Sequence, residues 1–507
     1  MRPNIFCGII LVCAALGLKA QNATTNGPVR SITLDESIRL ALEHNLDLAL
    51  QRAGPQRARY VIQNRYGSYY DPALTLSGQQ RFNTQPGTFN PLINNVVSAS
   101  ETWRESFSSE VNGRLPSGLT YDLTSSLNRT SGKRFDTDSN SFVNRDYIYD
   151  SAATATFTQP LLRDFWTDAG RTDIKVAKKD LKISEFLLQF TVMDTLNKVA
   201  AAYYDLIAAR DNIGVQEAGV ELAERLVAEN KKKVEVGTLA PLDEKQAESQ
   251  AAAAKAALTD AVFKAQQAEN VLKGLISDNF SSFQPVTLAP AEKLVALSAL
   301  VNVAESWQNA LKLRPDYAQL REEVEKQDIM LKYRRNQLYP YLNLQGSVGR
   351  QGLGGSVGDA VEDIRGGQNP NWGGGAVLIV PFTFATERSA YKATKIDKET
   401  AFLKFKQREE LILRNVDDAV KRVRSSYEAT ISTREARVYA EQALDAEQKK
   451  LDNGKSTSFQ VLQLQKDLTQ ARSNEIKALA DYNKALQDFY FQEGTTLQHN
   501  KVNLEVK

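Results

Sequence analysis

The chain has 507 residues, 42% of them hydrophobic and 24% charged, with a mean hydropathy of −0.39. This balance excludes both a polytopic helical membrane protein and a disordered chain. With 63 Lys+Arg against 61 Asp+Glu there is no electrostatic footprint for nucleic acid, so no nucleic-acid partner is expected.

The first residues, MRPNIFCGIILVCAALGLKAQ, combine Arg2, an apolar run from Ile5 to Leu18 and small residues suited to cleavage near Ala20. The run is too short to span a bilayer and predicts a signal peptide over 1–20, hence an exported chain. Cys7 and Cys13 both fall inside it, preceded by Phe6 and Val12 and not by the small residue a lipid-anchoring signal needs. The exported chain then has no disulfide, no thiol nucleophile and no thiolate metal site. The only histidines, His44 and His499, are far apart in sequence, so a His-dependent triad or a multi-His zinc centre is not expected. The carboxylates spread along helical faces, and no phosphate-cradling Gly loop follows a strand, so no catalytic residue, cofactor or metal is expected.

Beyond the signal, one plan occurs twice. A first repeat over 31–276 predicts a helix at 34–69, strands within 71–160, a long helix from about 172 to 235, a turn near 237 and a returning helix from 241. A linker over 277–304 contains SDNFSSFQPVTLAPAEK. The second repeat, 305–493, predicts a helix at 305–337, strands within 339–381, a long helix from about 385 to 452, a turn near 454 and a last helix. A tail covers 494–507.

The long helices rest on periodicity. Ile174, Ala177, Leu181, Leu188, Val192, Leu196, Val199, Tyr203, Leu206, Ile213, Val220 and Val227 recur at spacings of 3, 4 or 7, and 382–453 contains neither Gly nor Pro. At 1.5 Å per residue the two would be roughly 95 and 100 Å long. The strands rest on alternation in DPALTLSGQQ, GLTYDLTSSLN, ATATFTQP, YPYLNLQGSVG and GGAVLIVP. They read as four or so, each about ten residues or shorter. LPSGLTYDL (115–123) and TSGKRFDTDSNS (130–141) read as an added hairpin and a surface loop.

The halves also match in detail. ALEHNLDLALQ corresponds to ALKLRPDYAQL, with Asp47 against Asp316; DPALTL corresponds to YPYLNL, and FTQPLL to LIVPFT. So few strands cannot close a barrel within one chain, which makes self-assembly the economical way to hide their edges. In a spanning barrel Leu74, Leu76, Leu342 and Leu344 would face lipid, and Thr75, Ser77, Asn343 and Gln345 would face water. A soluble half-buried sheet produces the same alternation.

The pattern resembles the TolC-type outer-membrane efflux proteins over nearly the whole chain. SITLDESIRLALEHNLDL, LYPYLNLQGSVG, FTQPLL, the paired turns VGTLAPLD and NGKSTSFQVLQLQ, and EGTTL carry the resemblance, in order and in duplicate. It implies a homotrimer in the outer-membrane lipid: strands from three chains form one β-barrel, continued by a periplasmic α-helical tunnel. It further implies an exit duct for drug efflux or type I secretion, not an enzyme, working with a periplasmic adaptor (membrane fusion) protein and an inner-membrane transporter. The rival reading is a non-conducting periplasmic coiled-coil adaptor or scaffold.

The resemblance gives the two turns a role. Gly237 and Gly454 would end the long helices in left-handed conformations, Pro241 would open one returning helix, and Ser456 or Ser458 would cap the other. Val236, Gly237 and Thr238 match the family's adaptor-docking sequence, while Asn453, Gly454 and Lys455 depart from it at the second tip. Asp243, Gln460 and Gln463 stand where some members ring a closed aperture with acidic side chains. Neutral glutamine at two of those places predicts a weak cation block.

Overall fold

The computed structural model describes residues 28–92, 95–97, 100–136, 139, 141–298 and 301–502. The expected signal peptide lies outside them. In chain order the elements are β1 (Val29–Ile32), α1 (Leu34–His44), α2 (Leu46–Tyr70), β2 (Ala73–Gln85), β3 (Thr88–Asn90), β4 (Asn95–Val97), β5 (Ser100–Arg114), β6 (Thr120–Asp136), β7 (Ser141–Pro160), α3 (Ala169–Glu235) and α4 (Pro241–Ile276). After α5 (Phe280–Phe283) and β8 (Thr287–Pro290) come α6 (Val303–Leu313), α7 (Pro315–Asn336), β9 (Tyr341–Gly354), α8 (Val357–Arg365), β10 (Pro370–Ile379), α9 (Ala385–Asp452), α10 (Ser458–Glu493) and α11 (Thr496–His499).

The helices expected at 34–69 and 305–337 are each broken once, at Asn45 (ψ 123°) and Arg314 (ψ 122°). Pro315 causes the second break, because its ring disfavours helical geometry at the preceding residue. Asn45 breaks the first with its side-chain amide donating to Leu275 O at 2.9 Å. The breaks fall at corresponding places in the two halves, so the duplication extends to a kink that composition alone did not announce.

Among the described residues one compact unit comprises 28–45, Lys198–Ala296 and Ala429–Asn483. Here α3, α4, α9 and α10 pack through Leu226, Ala247, Leu444, Val461, Leu462 and Leu468. The buried stripe of α3 steps from Leu206 to Ala223, Leu226 and Asn230, leaving Val220 and Val227 half-buried. A short parallel pair, β1 with β8, is pinned by side chains from the helices. Glu269 accepts from Leu288 N at 3.0 Å and from Arg210 at 3.1 Å, and pairs with buried Lys273 at 2.9 Å.

Tyr203, fully buried, donates to Ile32 O at 3.1 Å. Burial, then the charge of Glu292, push its hydroxyl up from 10.0 to about 12. An unfolded tyrosine ionises near pH 10, so the stability linked to this group is complete below pH 10 and lost as pH rises through about 12. Tyr203→Phe should therefore reduce the slope of stability against pH in alkaline denaturation. An unchanged slope would assign the dependence to other groups.

The second unit comprises the described residues of Leu46–Asn197 and Leu297–Glu428, with 484–502. Its centre is one antiparallel sheet of six strands in the order β10-β9-β7-β6-β5-β2. This corrects the expectation of four or so short strands: the sheet strands run from 10 to 20 residues. Serine, threonine and charge fill one face of β5, β6 and β7 and dilute the apolar signal that sequence patterning relies on. The hairpin expected around 115–123 is the β5–β6 hairpin, its turn at 115–119 closed by Leu115 N to Leu119 O at 2.8 Å, and 130–136 belongs to β6 instead of a loop.

Register shows the two faces directly. Leu74, Val111, Leu123, Ala155, Val348 and Trp372 form one row across all six strands. The neighbouring row, Thr75, Glu110, Thr124, Thr154, Gly349 and Asn371, is polar or glycine. The apolar face is bounded at one end by the Glu105–Arg129 pair at 2.8 Å and by α8, whose Ala360 O accepts from Ser151 Oγ at 2.7 Å. Gly352 is required there, because a Cβ would lie 2.0 Å from Ala360 O.

The strands of this unit join its helices through a dense polar seam. Asp168 accepts from Tyr69 Oη at 2.7 Å and from the guanidinium of Arg171, and Arg171 reaches Pro116 O at 3.2 Å. Arg163 contacts Gln337 at 2.6 Å and Glu387 at 3.4 Å. At the end of α10, Gly494 (φ +85°) ends the helix with Gly494 N to Phe491 O and Thr495 N to Tyr490 O. A Cβ at Gly494 would press on Arg314 at 3.2 Å, which explains the glycine of EGTTL.

Candidate functional site

The two turns share one geometry. Gly237 N donates to Val234 O at 3.0 Å and Thr238 N to Lys233 O at 2.8 Å; Gly454 N donates to Leu451 O at 3.0 Å and Lys455 N to Lys450 O at 2.8 Å. Each is a Schellman closure, in which the two amides after a helix satisfy carbonyls of its last turn. Gly237 has φ +78° and Gly454 φ +71°. No atom stands within 4 Å of where a Cβ would lie at either residue, so backbone conformation and not crowding demands glycine. Lys232 and Lys233, and Lys449 and Lys450, sit in the last helical turns, where positive charge is favoured.

The flanking side chains point outward. Val236 is 73% exposed, an unusual state for valine; Thr238 Oγ1 bonds back to Lys233 O at 2.9 Å, and Asn453 Nδ2 to Lys449 O at 2.6 Å. Lys455 is exposed. Pro241 opens α4 at its first position with no side-chain cap. The cap expected from Ser456 or Ser458 comes instead from Thr457, whose hydroxyl accepts from Gln460 N at 3.4 Å. Both serines are committed elsewhere. Ser456 Oγ bonds Glu447 at 2.5 Å and Gln460 Oε1 at 2.9 Å, and with Lys450 it holds the Glu447 carboxyl below its ordinary value.

Ser458 reveals a residue that sequence reasoning missed. Asn230, fully buried seven residues before Gly237, accepts from Ser458 Oγ at 3.1 Å and donates from Nδ2 to Asp243 O at 3.3 Å. One side chain thus ties the end of α3 to the starts of α4 and α10, and so brings the two glycine turns together. The signal was present as an asparagine on the apolar stripe of a long helix, a placement that costs stability unless its amide is satisfied. Asn230→Ala should destabilise this end of the unit by about 1–3 kcal/mol by leaving Ser458 and the Asp243 carbonyl unpaired. Hydrogen exchange of the amides around 226–247 and 456–468 reads the effect, and unchanged protection would refute it.

The three aperture candidates do not cluster by direct contact. Asp243 is half-buried and is tied through its backbone carbonyl. Gln460 and Gln463 share the exposed face of α10, opposite buried Val461, Leu462 and Leu468. Gln463 Nε2 donates to Asp467 at 3.0 Å, so a carboxylate stands one helical turn further along that face. Among the described residues no group of three or more His, Cys, Asp or Glu is placed to hold a metal ion, and no helix is long and apolar enough to cross a membrane.

The glycine turns, the duplicated helices and the two-faced sheet agree with a comparison of families. Residues 117–277 and 307–494 match the model of the outer membrane efflux protein family. The chain belongs to that family. Solved outer-membrane channels and proteins have the same fold at low identity. The CmeC channel of Campylobacter jejuni superposes with a TM-score of 0.66 at 15% identity, over 97% of this chain and 94% of that one. VceC of Vibrio cholerae gives 0.65 at 16% over 91% and 96%, and the open state of Neisseria gonorrhoeae MtrE 0.63 at 15% over 92% and 89%. No curated protein matches by sequence.

As an outer membrane efflux protein, the chain is an exit duct in the outer membrane with its helical tunnel in the periplasm. Its fold is that of channels in which three chains complete one barrel. In such a barrel the apolar row through Leu74, Leu123 and Trp372 would be the one to meet lipid, and the polar row through Thr75 and Thr124 the one to meet water.

Proposed function

We propose that this efflux protein is the outer-membrane component of a tripartite efflux or type I secretion system, passing small molecules or proteins delivered by an inner-membrane transporter. Three copies form the duct. A periplasmic adaptor docks on Val236, Gly237, Thr238, Asn453, Gly454 and Lys455, and the repeats 31–276 and 305–493, joined by the linker 277–304, each supply one docking turn. The observation that carries the reading is the pair of Schellman turns held together by Asn230, which presents exposed Val236 and Lys455 on a rigid base. A rigid, pre-formed surface lowers the ordering cost of docking a partner.

Asp243, Gln460 and Gln463 line the periplasmic aperture in this reading. Ion conductance of the detergent-purified protein in a planar lipid bilayer tests the duct itself: discrete current steps support it, and silence even after substitutions that loosen the turn at Gly454 would return the field to the non-conducting scaffold. The aperture is tested in the same apparatus. Gln460→Asp with Gln463→Asp should make divalent-cation block stronger than the parent's, because three copies of each carboxylate converge on a narrow pore. Equal sensitivity of parent and variant would remove these residues from the aperture.

A further inference from the structure

We propose that three copies of this chain close an eighteen-stranded barrel, each contributing all six strands of its sheet, with β2 of one copy pairing antiparallel to β10 of the next. The inference rests on the trimeric channel reading and adds the width of the duct and the surface on which the copies join.

The strand order carries it. β5 and β6 lie between β2 and β7, so neither can leave the wall without detaching β2 from the rest of the sheet. Their pairing is continuous, from Ser100 opposite Arg134 to Arg114 opposite Thr120, and β2 pairs along β5 from Ala73 to Gln85. The hairpin also shares the sheet's chemistry. Val111 and Leu123 continue the apolar row between Leu74 and Ala155, and Glu110 and Thr124 continue the polar row between Thr75 and Thr154. A hairpin folded away from the lipid would have no reason to keep that register of faces. Its turn is seated too: Arg171 reaches Pro116 O at 3.2 Å, and a Cβ on Gly118 would come within 2.9 Å of the same guanidinium.

Closure then follows from parity. β2 and β10 pair on one side only among the described residues, and six alternating strands leave them running in opposite senses. Joining the β10 edge of one copy to the β2 edge of another therefore continues the antiparallel ladder that every other sheet pair makes. It also removes the two exposed edges, which an outer-membrane protein cannot leave unpaired in hydrocarbon. At a strand spacing of about 4.8 Å and a tilt of about 40°, eighteen strands give a backbone diameter of about 36 Å, against about 24 Å for the twelve that four strands per chain would supply. Barrels of this strand number enclose an aqueous channel. The lining of Thr75, Glu110, Thr124, Thr154 and Asn371 fits bulky, hydrated polar cargo better than a narrow apolar stream.

Electron cryo-microscopy of the full-length protein in lipid nanodiscs tests the proposal. Eighteen strands in a single ring, about 1.5-fold wider than a twelve-stranded one, are expected. A twelve-stranded trimeric ring with β5 and β6 outside the wall would overturn the inference and leave the channel reading standing; no ring of strands would overturn both. A labelling pair checks the same point without an image. In nanodiscs Glu110→Cys should react with a membrane-impermeant maleimide, and Val111→Cys at least tenfold more slowly. Equal, rapid labelling of both would place the hairpin outside the lipid and overturn the inference.

Discussion

Arg314→Met should cost about 3–5 kcal/mol, the largest single effect expected in this chain. Arg314 and Asp316 are both buried, and the guanidinium meets the carboxylate through two parallel hydrogen bonds, Nε to Oδ1 at 3.0 Å and Nη2 to Oδ2 at 2.9 Å. Nη1 also donates to Gln492 O at 3.0 Å and to Gln492 Oε1 at 2.9 Å. The kink at Arg314–Pro315 is therefore clamped to the end of α10 beside the Gly494 turn. Removing the arginine strands a buried carboxylate, with Arg408 at 3.5 Å as its remaining cation. Thermal denaturation in detergent reads the loss. The double variant Arg314→Met with Asp316→Leu should recover at least half of it, since replacing both partners of a buried pair by apolar groups is often neutral. A single variant as stable as the parent would show that the clamp contributes nothing.

Leu123→Arg should destabilise the assembled barrel by about 2 kcal/mol or more per chain, while Thr124→Arg one residue away should be close to neutral. Leu123 lies in the apolar row between Val111 and Ala155, and Thr124 in the polar row between Glu110 and Thr154. A guanidinium on the lipid face must be drawn from water into hydrocarbon, whereas on the lumenal face it stays hydrated. The contrast between adjacent positions separates a lipid effect from a general intolerance of arginine in the strand. Heat-modifiability on electrophoresis of membrane extracts measures the folded fraction of each variant. Equal behaviour of the two would mean that the face assignment is wrong.

The shared apolar face of Leu74 and Leu76, and that of Leu342 and Leu344, was readable because these strands alternate leucine with polar residues. The same reading missed β5 and found only parts of β6 and β7. There ETWRESFSSEVNGR and TYDLTSSLNRT spread a few apolar residues among serine, threonine and charge. Pairing partners, which sequence does not display, are what reveal Val111 beside Leu123. Asn230 was hidden for a related reason: an amide on an apolar stripe has meaning only once Ser458, far away in the chain, is seen to reach it.

Sequence by itself determined the features set by local physics. Helical periodicity marked the long helices, the left-handed demand of a helix end marked Gly237 and Gly454, and duplicated order marked the family. Tertiary structure alone decided the number of strands in the sheet, the helix break at Asn45 and the joining of the two turns through Asn230. Those depend on hydrogen-bond partners and buried charges contributed by distant segments, whose energies are not encoded in any one stretch of residues.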